Sequence, residues 1–363
     1  MTDRIRVALL GLGRVSGGHI QGWLECEHAD LVAICDVVPE RLRATREQFG
    51  LEGVAVSDSF SEVIARDDVD AVDIALPDHL HFPVVLEATA AGKAILCEKP
   101  LGQTAEQAEE MLAAAEAAGV VHQLRLQRRH SPLVHYVRDL VASGKLGALR
   151  HFRSRISVHR IADPEVKLEW RLSNALGTYG VLGDLGAHVV DLAYFVLGEA
   201  AGEIVEAAGL GAIFTRVREL EDGSGHGEVT GWDAASFTVR YAANVLGTFE
   251  MSRFSPGDDF WQVDGQDATV RVQGFLGDKI GWYERRPQEH QQPGSQWAEC
   301  EVPSDYRGRP GEFDAFCLAV KEGRRATPDF NDGLRVNLAL DLINAALQTP
   351  GAGGPVAGAL PEL

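Results

Sequence analysis

The 363-residue chain predicts an α/β protein of two domains. The first, residues 1–125, reads as a doubly wound parallel sheet; the second, 126–363, reads as an α+β domain with a mixed or antiparallel sheet. Three observations carry this. Short, continuously apolar runs alternate with helical stretches through the first domain, as in strands buried on both faces. Beyond about residue 125, strand-like segments follow one another without helices between them. At ~150 residues per domain, the length suits two domains rather than one.

The apolar runs of the first domain are Ile5–Leu10, Leu31–Cys35, Val54–Val56, Ala71–Leu76, Ala94–Cys97 and Val120–Leu124. Between them, Ser59-x-x-Glu62 and Thr104-x-x-Gln107 read as capping boxes that open helices. The stretch after Thr104 is rich in strong helix formers and stops at Gly119. In the second domain a helix is expected over Pro132–Ser143, ending at Gly144. The next segment alternates, with Phe152, Ser154, Ile156 and Val158 on one side and Arg153, Arg155 and Ser157 on the other, a strand with one wet face. A helix follows over Asp184–Leu197, then strands over Ser236–Tyr241, Leu246–Ser252, Phe260–Asp264 and Thr269–Val272. Helices over Glu312–Glu322 and Gly333–Leu347 close the domain, and the Gly/Pro-rich tail from Thr349 reads as irregular.

Apolar residues make up 45% and charged residues 24%, the balance of a globular protein rather than a disordered or fibrous one. The net charge of −19 repels phosphate backbones and argues against a nucleic-acid partner. No apolar run reaches the ~18 residues of a bilayer span, and the first residues lack the layout of a signal peptide, so no membrane partner is expected. Cys26, Cys35, Cys97, Cys300 and Cys317 are odd in number and lack C-x-x-C spacing; they read as reduced thiols of a cytoplasmic protein.

The first strand runs directly into Gly11-Leu12-Gly13-Arg14-Val15-Ser16, a G-x-G-x-x-S loop opening a helix. Gly11 permits the tight turn, Gly13 lets the backbone approach a pyrophosphate at the helix N-terminus, and Ser16 is small enough for close packing. Asp36 ends the second strand 20 residues beyond the motif, where an acid accepts the ribose hydroxyls of NAD and repels the 2′-phosphate of NADP. NAD is therefore the expected cofactor, NADP the less favoured one. At the end of the fifth strand stands Glu98-Lys99-Pro100. This turn brings an amine to the cofactor crevice from a rigid strand end, with Pro100 fixing the backbone, possible in the cis form. Asp184, His188 and Asp191 are spaced i, i+4, i+7 and share one face of the expected helix, with the histidine as a proton acceptor between two acids.

These residues together resemble the Gfo/Idh/MocA oxidoreductase family. The resemblance rests on the GLGRVS loop, Asp36, Pro77-Asp78-His79-Leu80-His81, AGKAILCEKPLG at 91–102, GDLGAHVVD at 183–191 and the helix after ATPDFNDGLR. It implies an N-terminal Rossmann domain and a C-terminal domain with a large open sheet through which a homodimer or homotetramer forms. It implies Lys99, Asp184 and His188 as the catalytic group: His188 as general base for a substrate hydroxyl, Lys99 polarising that oxygen, Asp184 orienting both. The expected cofactor contacts are Gly11, Leu12, Gly13, Arg14, Val15, Asp36, Leu76, Pro77, His81, Glu98 and Lys99. Arg171, beside Trp170, and Tyr179 join His159 and the catalytic group as substrate contacts. Leu76 replaces a threonine, and Thr178 and Tyr179 replace two glycines, found in many members, so Tyr179 is expected to narrow the pocket.

The resemblance implies hydride transfer between NAD and a secondary hydroxyl or ketone of a sugar, sugar derivative or cyclitol. Two alternatives stay open: glycoside cleavage with transient redox, marked by product sugar without NADH, and a dinucleotide-binding regulator, which need not keep Lys99 and His188. No metal is expected. His79 and His81 lack further ligands for one, Cys97 reads as a buried inert thiol, and His130 and His135 read as packing residues.

Overall fold

The computed structural model describes residues 4–274, 279–284, 297–349 and 356–357. The chain forms two compact units: Met1–Gln127 with Pro310–Asn337, and Arg128–Arg309 with Leu338–Leu363.

In the first unit β1 (Ile5–Leu10), β2 (Ala29–Cys35), β3 (Ala55–Ser57), β4 (Ala71–Ile74), β5 (Ala94–Cys97) and β6 (His122–Leu124) form one sheet in the order β3-β2-β1-β4-β5-β6. Every pairing in it is parallel. The order reverses between β1 and β4, so the strand ends there border the crevice in which such sheets bind ligands. The connections are α1 (Ser16–Glu25), α2 (Pro39–Phe49), α3 (Phe60–Ile64), α4 (Asp78–Ala90) and α5 (Ala105–Ala118). Ser59 and Thr104 cap α3 and α5 as expected, each side-chain oxygen accepting the amide three residues on. The reciprocal half of each box is displaced: Gln107 Oε1 accepts from the Gln103 amide and Glu62 bonds the Ser57 hydroxyl. Gly50 and Gly119 stop α2 and α5 in the left-handed region, at φ 65° each.

The division at residue 125 assigned all later helices to the second domain, and the structure differs. Helix α8 (Glu312–Glu322) and the start of α9 (Phe330–Gln348) belong to the first unit. Phe316 and Cys317 of α8 enter a core with Val7, Trp23, Ala29, Ala71 and Leu96, and Phe313 packs edge-on to Trp23 at 4.6 Å. Burying a side chain such as Phe316 stabilises by roughly 1.5–3 kcal/mol. An amphipathic helix shows in sequence that it has an apolar face, but not which sheet will cover it.

The second unit is built from α6 (Pro132–Ala142), β7 (Leu149–Ser157), α7 (Ala187–Leu197), β8 (Ile204–Ala212), β9 (Val217–Glu219), β10 (His226–Glu228), β11 (Ala234–Tyr241), β12 (Leu246–Ser252), β13 (Phe260–Gly265), β14 (Ala268–Gln273), β15 (Lys279–Glu284), β16 (Ala298–Cys300) and β17 (Val356–Ala357). Among the described residues these strands, β9 and β10 apart, make a sheet in the order β16-β15-β14-β13-β7-β12-β11-β8-β17. It is mixed: β7 and β12 pair in parallel and the other neighbours antiparallel. One face is dry, with Phe152, Phe237, Phe249, Met251 and Trp261 buried. Phe237 and Phe249 stack at 4.9 Å, and Tyr194 of α7 meets Tyr241 edge-on. The other face is wet and carries Arg153, Thr238, Arg240, Thr248 and Glu250. Val158, expected on the dry side, lies past the end of β7 and is exposed. Apart from Val356–Ala357, which pairs with β8, the tail from residue 350 lies outside the described residues.

Candidate active site

Gly11 ends β1 at φ +100°, and a Cβ there would sit 2.5 Å from the Ala75 carbonyl oxygen, so only glycine fits. A Cβ at Gly13 would meet nothing within 4 Å; it would project into open space at the start of α1. This is the cradle a pyrophosphate needs: a bare backbone and the free amides of a helix N-terminus. Ser16 does more than pack closely: its hydroxyl donates to the Gly13 carbonyl at 2.7 Å and closes the loop. Asp36 lies buried at the end of β2, where its two oxygens accept the Leu12 and Val38 amides at 2.8 and 2.9 Å. Each oxygen keeps a lone pair for a ribose hydroxyl. The residues present thus fit a dinucleotide, with Gly11, Leu12, Gly13 and the α1 amides at the phosphates and Asp36 at the ribose. Arg41, unnoticed in the sequence, stands 3.5 Å from both Asp36 oxygens and is half exposed. Its signal was a base one helical turn into α2, indistinguishable in sequence from surface charge.

Two expected cofactor contacts have other partners. His81 is fully buried, with Nδ1 2.8 Å from the Pro100 carbonyl and Nε2 2.9 Å from the Leu76 carbonyl. Both ring nitrogens are engaged by backbone, so His81 ties the turn after β4, where Leu76 and Pro77 lie half-buried, to the Lys99–Pro100 turn. Glu98 is also buried; Oε1 accepts from Arg125 at 2.8 Å and lies 3.1 Å from His19 Nε2, while Oε2 accepts the Lys99 amide at 3.1 Å. Burial alone would raise its pKa, but the His19 hydrogen bond and the charges of His19 and Arg125 hold it well below the usual carboxylate range. His19 is itself opposed by burial, yet Asp73 and Glu98 push it up to about 9. Lys99 follows, half buried, with a cis bond to Pro100. Arg14 is exposed at the loop tip and Val15 precedes α1.

In the second unit the expected helix from Asp184 begins differently. Residues Leu182–Gly186 form a π-helical turn, and α-helical geometry starts at Ala187. Such turns widen a helix by one residue and are frequent at functional sites. Asp184 sits in this turn with its Oδ1 3.9 Å from Arg171 Nε, and both side chains are about one-fifth exposed, at 22% and 19%. The Arg171 guanidinium stacks over Trp170 at 4.0 Å. Beneath it the fully buried Arg253 donates to the Arg171 carbonyl at 3.2 Å and the Trp232 carbonyl at 2.8 Å. His188 is buried in the first turn of α7. Asp191, expected on the same face, is fully buried and held by Arg129 through contacts of 2.5, 2.9 and 3.1 Å. The helix is buried all round, so this acid anchors α7. Tyr179, at φ 53°, donates to Asp341 of α9 at 2.8 Å, and burial followed by the Asp341 charge raises its pKa. His159 is exposed just past β7.

All five cysteines are free, and among the described residues no cluster of His, Cys, Asp or Glu could hold a metal ion. His19, Arg125, Arg129 and Arg253 were missed in the sequence because arginine reads as surface charge and His19 shares no motif with its partners.

A parallel sheet with this order, a glycine cradle and an acid at the second strand end define a dinucleotide-binding oxidoreductase fold. Residues 5–126 match the GFO/IDH/MocA oxidoreductase family, NAD-binding Rossmann fold, and residues 134–271 match the GFO/IDH/MocA C-terminal domain. The chain belongs to this family and is an NAD-binding oxidoreductase. It is 28% identical to levoglucosan dehydrogenase of Pseudarthrobacter phenanthrenivorans, over 85% of each chain. It is 32% identical to 1,5-anhydro-D-fructose reductase of Ensifer adhaerens, over 76% of this chain and 75% of the relative. In fold it is similar to a structure of levoglucosan dehydrogenase with NADH and L-sorbose (TM-score 0.85, 24% identity, 95% of this chain and 97% of the other).

Proposed function

We propose that this protein is an NAD-dependent dehydrogenase of a sugar, sugar derivative or cyclitol, interconverting a secondary hydroxyl and a ketone. One observation carries the reading: the glycine cradle and Asp36 share one parallel sheet with a lysine held at the end of β5. When bound, NAD supplies the hydride acceptor. Lys99 donates a hydrogen bond to the substrate oxygen and polarises it. His188 takes the hydroxyl proton as general base. Asp184 orients the substrate and is itself placed by Arg171. The two relatives named above, a dehydrogenase and a reductase of sugars, support the substrate class. Asp36 favours NAD over NADP.

A panel of sugars and cyclitols with NAD, followed by absorbance of the reduced nicotinamide, tests this. Stoichiometric NADH with at least one member supports it; product sugar without NADH, or no turnover with any, overturns it.

The wet face of the second sheet supports self-association as a homodimer or homotetramer. It holds a groove of about 550 Å³ lined by Arg150, His151, Arg153, Gln262, Tyr283 and Trp297, and Leu210 on β8 is 66% exposed. Sedimentation of wild type against Leu210→Glu tests it; unchanged sedimentation of both as monomer refutes it. No described helix is long and apolar enough to cross a membrane. Five free thiols, four of them buried, fit a reducing cytoplasm.

A further inference from the structure

Behind Lys99 lies a chain of buried charges that the proposed chemistry does not use. Glu98 is its centre. One oxygen accepts the amide of Lys99; the other receives Arg125 at 2.8 Å and lies 3.1 Å from His19. His19 turns its other nitrogen to Asp73 at 2.7 Å, and the same Asp73 oxygen accepts the Trp23 indole at 2.6 Å. Arg125 reaches on to Glu312 of α8 at 3.1 Å, and its own amide donates to the Cys97 carbonyl at 2.7 Å. His19, Asp73, Glu98 and Glu312 are all under one-tenth exposed. Five elements are thus linked through Glu98 and its two partners: the helix after the glycine loop, the ends of β4, β5 and β6, and α8.

Stability does not account for this arrangement. Desolvating charges in a core is expensive, and apolar residues of similar volume often serve as well. What an apolar core cannot do is hold the peptide N–H of Lys99 at a defined point. The network does so from two sides, with His19 and Arg125 on Glu98 and Glu98 on the Lys99 amide.

We propose that His19 and Arg125 are positioning residues for Lys99, acting through the Glu98 carboxylate; this rests on the reading of Lys99 as the group that polarises the substrate oxygen. The lysine leaves its strand from a fixed peptide, and its ammonium is delivered to one place. The same links fix α1, so the pyrophosphate cradle and the amine share one frame. Displacing a catalytic group by about 1 Å costs on the order of 10²-fold in rate.

The test uses the full-length protein and has two arms. The first needs no substrate: deuterium exchange of the peptide 97–101, whose exchangeable amides include Glu98 and Lys99. Arg125→Met and His19→Gln should each speed exchange in that peptide by at least about tenfold while the peptides of β1 and β2 stay protected. Unchanged exchange in both variants overturns the proposal. The second arm uses NAD and the fastest sugar of the panel. Arg125→Met should lower kcat about ten- to hundredfold, with KM for NAD within about twofold, and Arg125→Lys should recover part of the loss. In a Lys99→Ala background Arg125→Met should change the residual rate no further. Equal losses with and without Lys99 mean a general structural role and overturn the proposal. Normal turnover of Lys99→Ala overturns the reading of Lys99 itself. Loss in Lys99→Ala with normal kcat in Arg125→Met and His19→Gln overturns only the positioning role. Where Arg125→Met does not fold, Arg125→Lys and His19→Gln carry both arms.

Discussion

Asp184 and Asp191 stand on one stretch of chain, on either side of His188, and the structure treats them oppositely. Asp191 is fully buried and clamped by Arg129. Asp184 sits in a π-helical turn, one-fifth exposed at 22%, with Arg171 3.9 Å away. The sequence spacing made them equivalent. The difference teaches that a carboxylate near a reacting centre is legible by its environment rather than its position. One, fully desolvated and clamped by an arginine, organises the helix; the other, 22% exposed in a π-helical turn, is the one the proposed chemistry uses. Glu98 falls on the Asp191 side of this divide.

Substitutions can break that contrast. The largest effect is expected at the proposed acid–base pair: Lys99→Ala and His188→Ala should each lower kcat by about 10²- to 10⁴-fold while NADH still binds, as read by its fluorescence. Asp184→Asn should lower kcat about ten- to hundredfold with little change in the urea midpoint. Asp191→Asn should do the reverse, because it strands Arg129 in the core; unfolding free energy should fall by about 3–5 kcal/mol. If Asp191→Asn costs turnover without stability, the contrast is wrong. Asp36→Ser removes a charge from the 2′ position and should raise the NADP-to-NAD preference about tenfold, with Arg41 left to meet the phosphate; steady-state rates with both cofactors decide it.

The first unit's buried charges add a pH dependence. Glu312 is pushed up to about 7, chiefly by burial, and His19 to about 9. A folded-state pKa above the unfolded one contributes stability that is present at low pH and lost as pH rises through the folded value. Glu312 should lose its contribution between about 4.5 and 7, and His19 between about 6.5 and 9. The urea midpoint of the wild type relative to Glu312→Gln should therefore decline as pH rises from about 4.5 to 7, while His130, held down to about 4 chiefly by burial, acts with the opposite sign in both proteins. The smallest effect is local: Thr104→Ala removes the cap of α5 and should cost about 1 kcal/mol.

Much of this fold was legible in the sequence. β1 and β5 were bounded to the residue, since strands buried on both faces stand out as unbroken apolar runs. β12 and α8 were too; in the structure β12 alternates buried and exposed residues and Gly323 caps α8. β8, rich in Ala and Gly, has no alternation to read and was missed, as were the short β9 and β10. The glycine loop and Asp36 were legible because strand, turn and helix frame them. The buried arginines were not, because a desolvated guanidinium is recognisable only by partners distant in sequence, such as Asp191 for Arg129 and Glu312 for Arg125. The π turn was invisible for a different reason: it leaves the residue pattern of the helix intact and changes only its hydrogen-bond ladder.

The placement of α8 has a consequence for anyone who cuts this gene. The dinucleotide half is not a contiguous N-terminal block; Phe313 and Phe316 arrive almost two hundred residues after β6 to cover Trp23. A truncated product ending near residue 127 would leave that indole and the neighbouring alanines bare, and should precipitate or recruit chaperones. During synthesis, the nascent Rossmann sheet has to wait on the ribosome for its last piece.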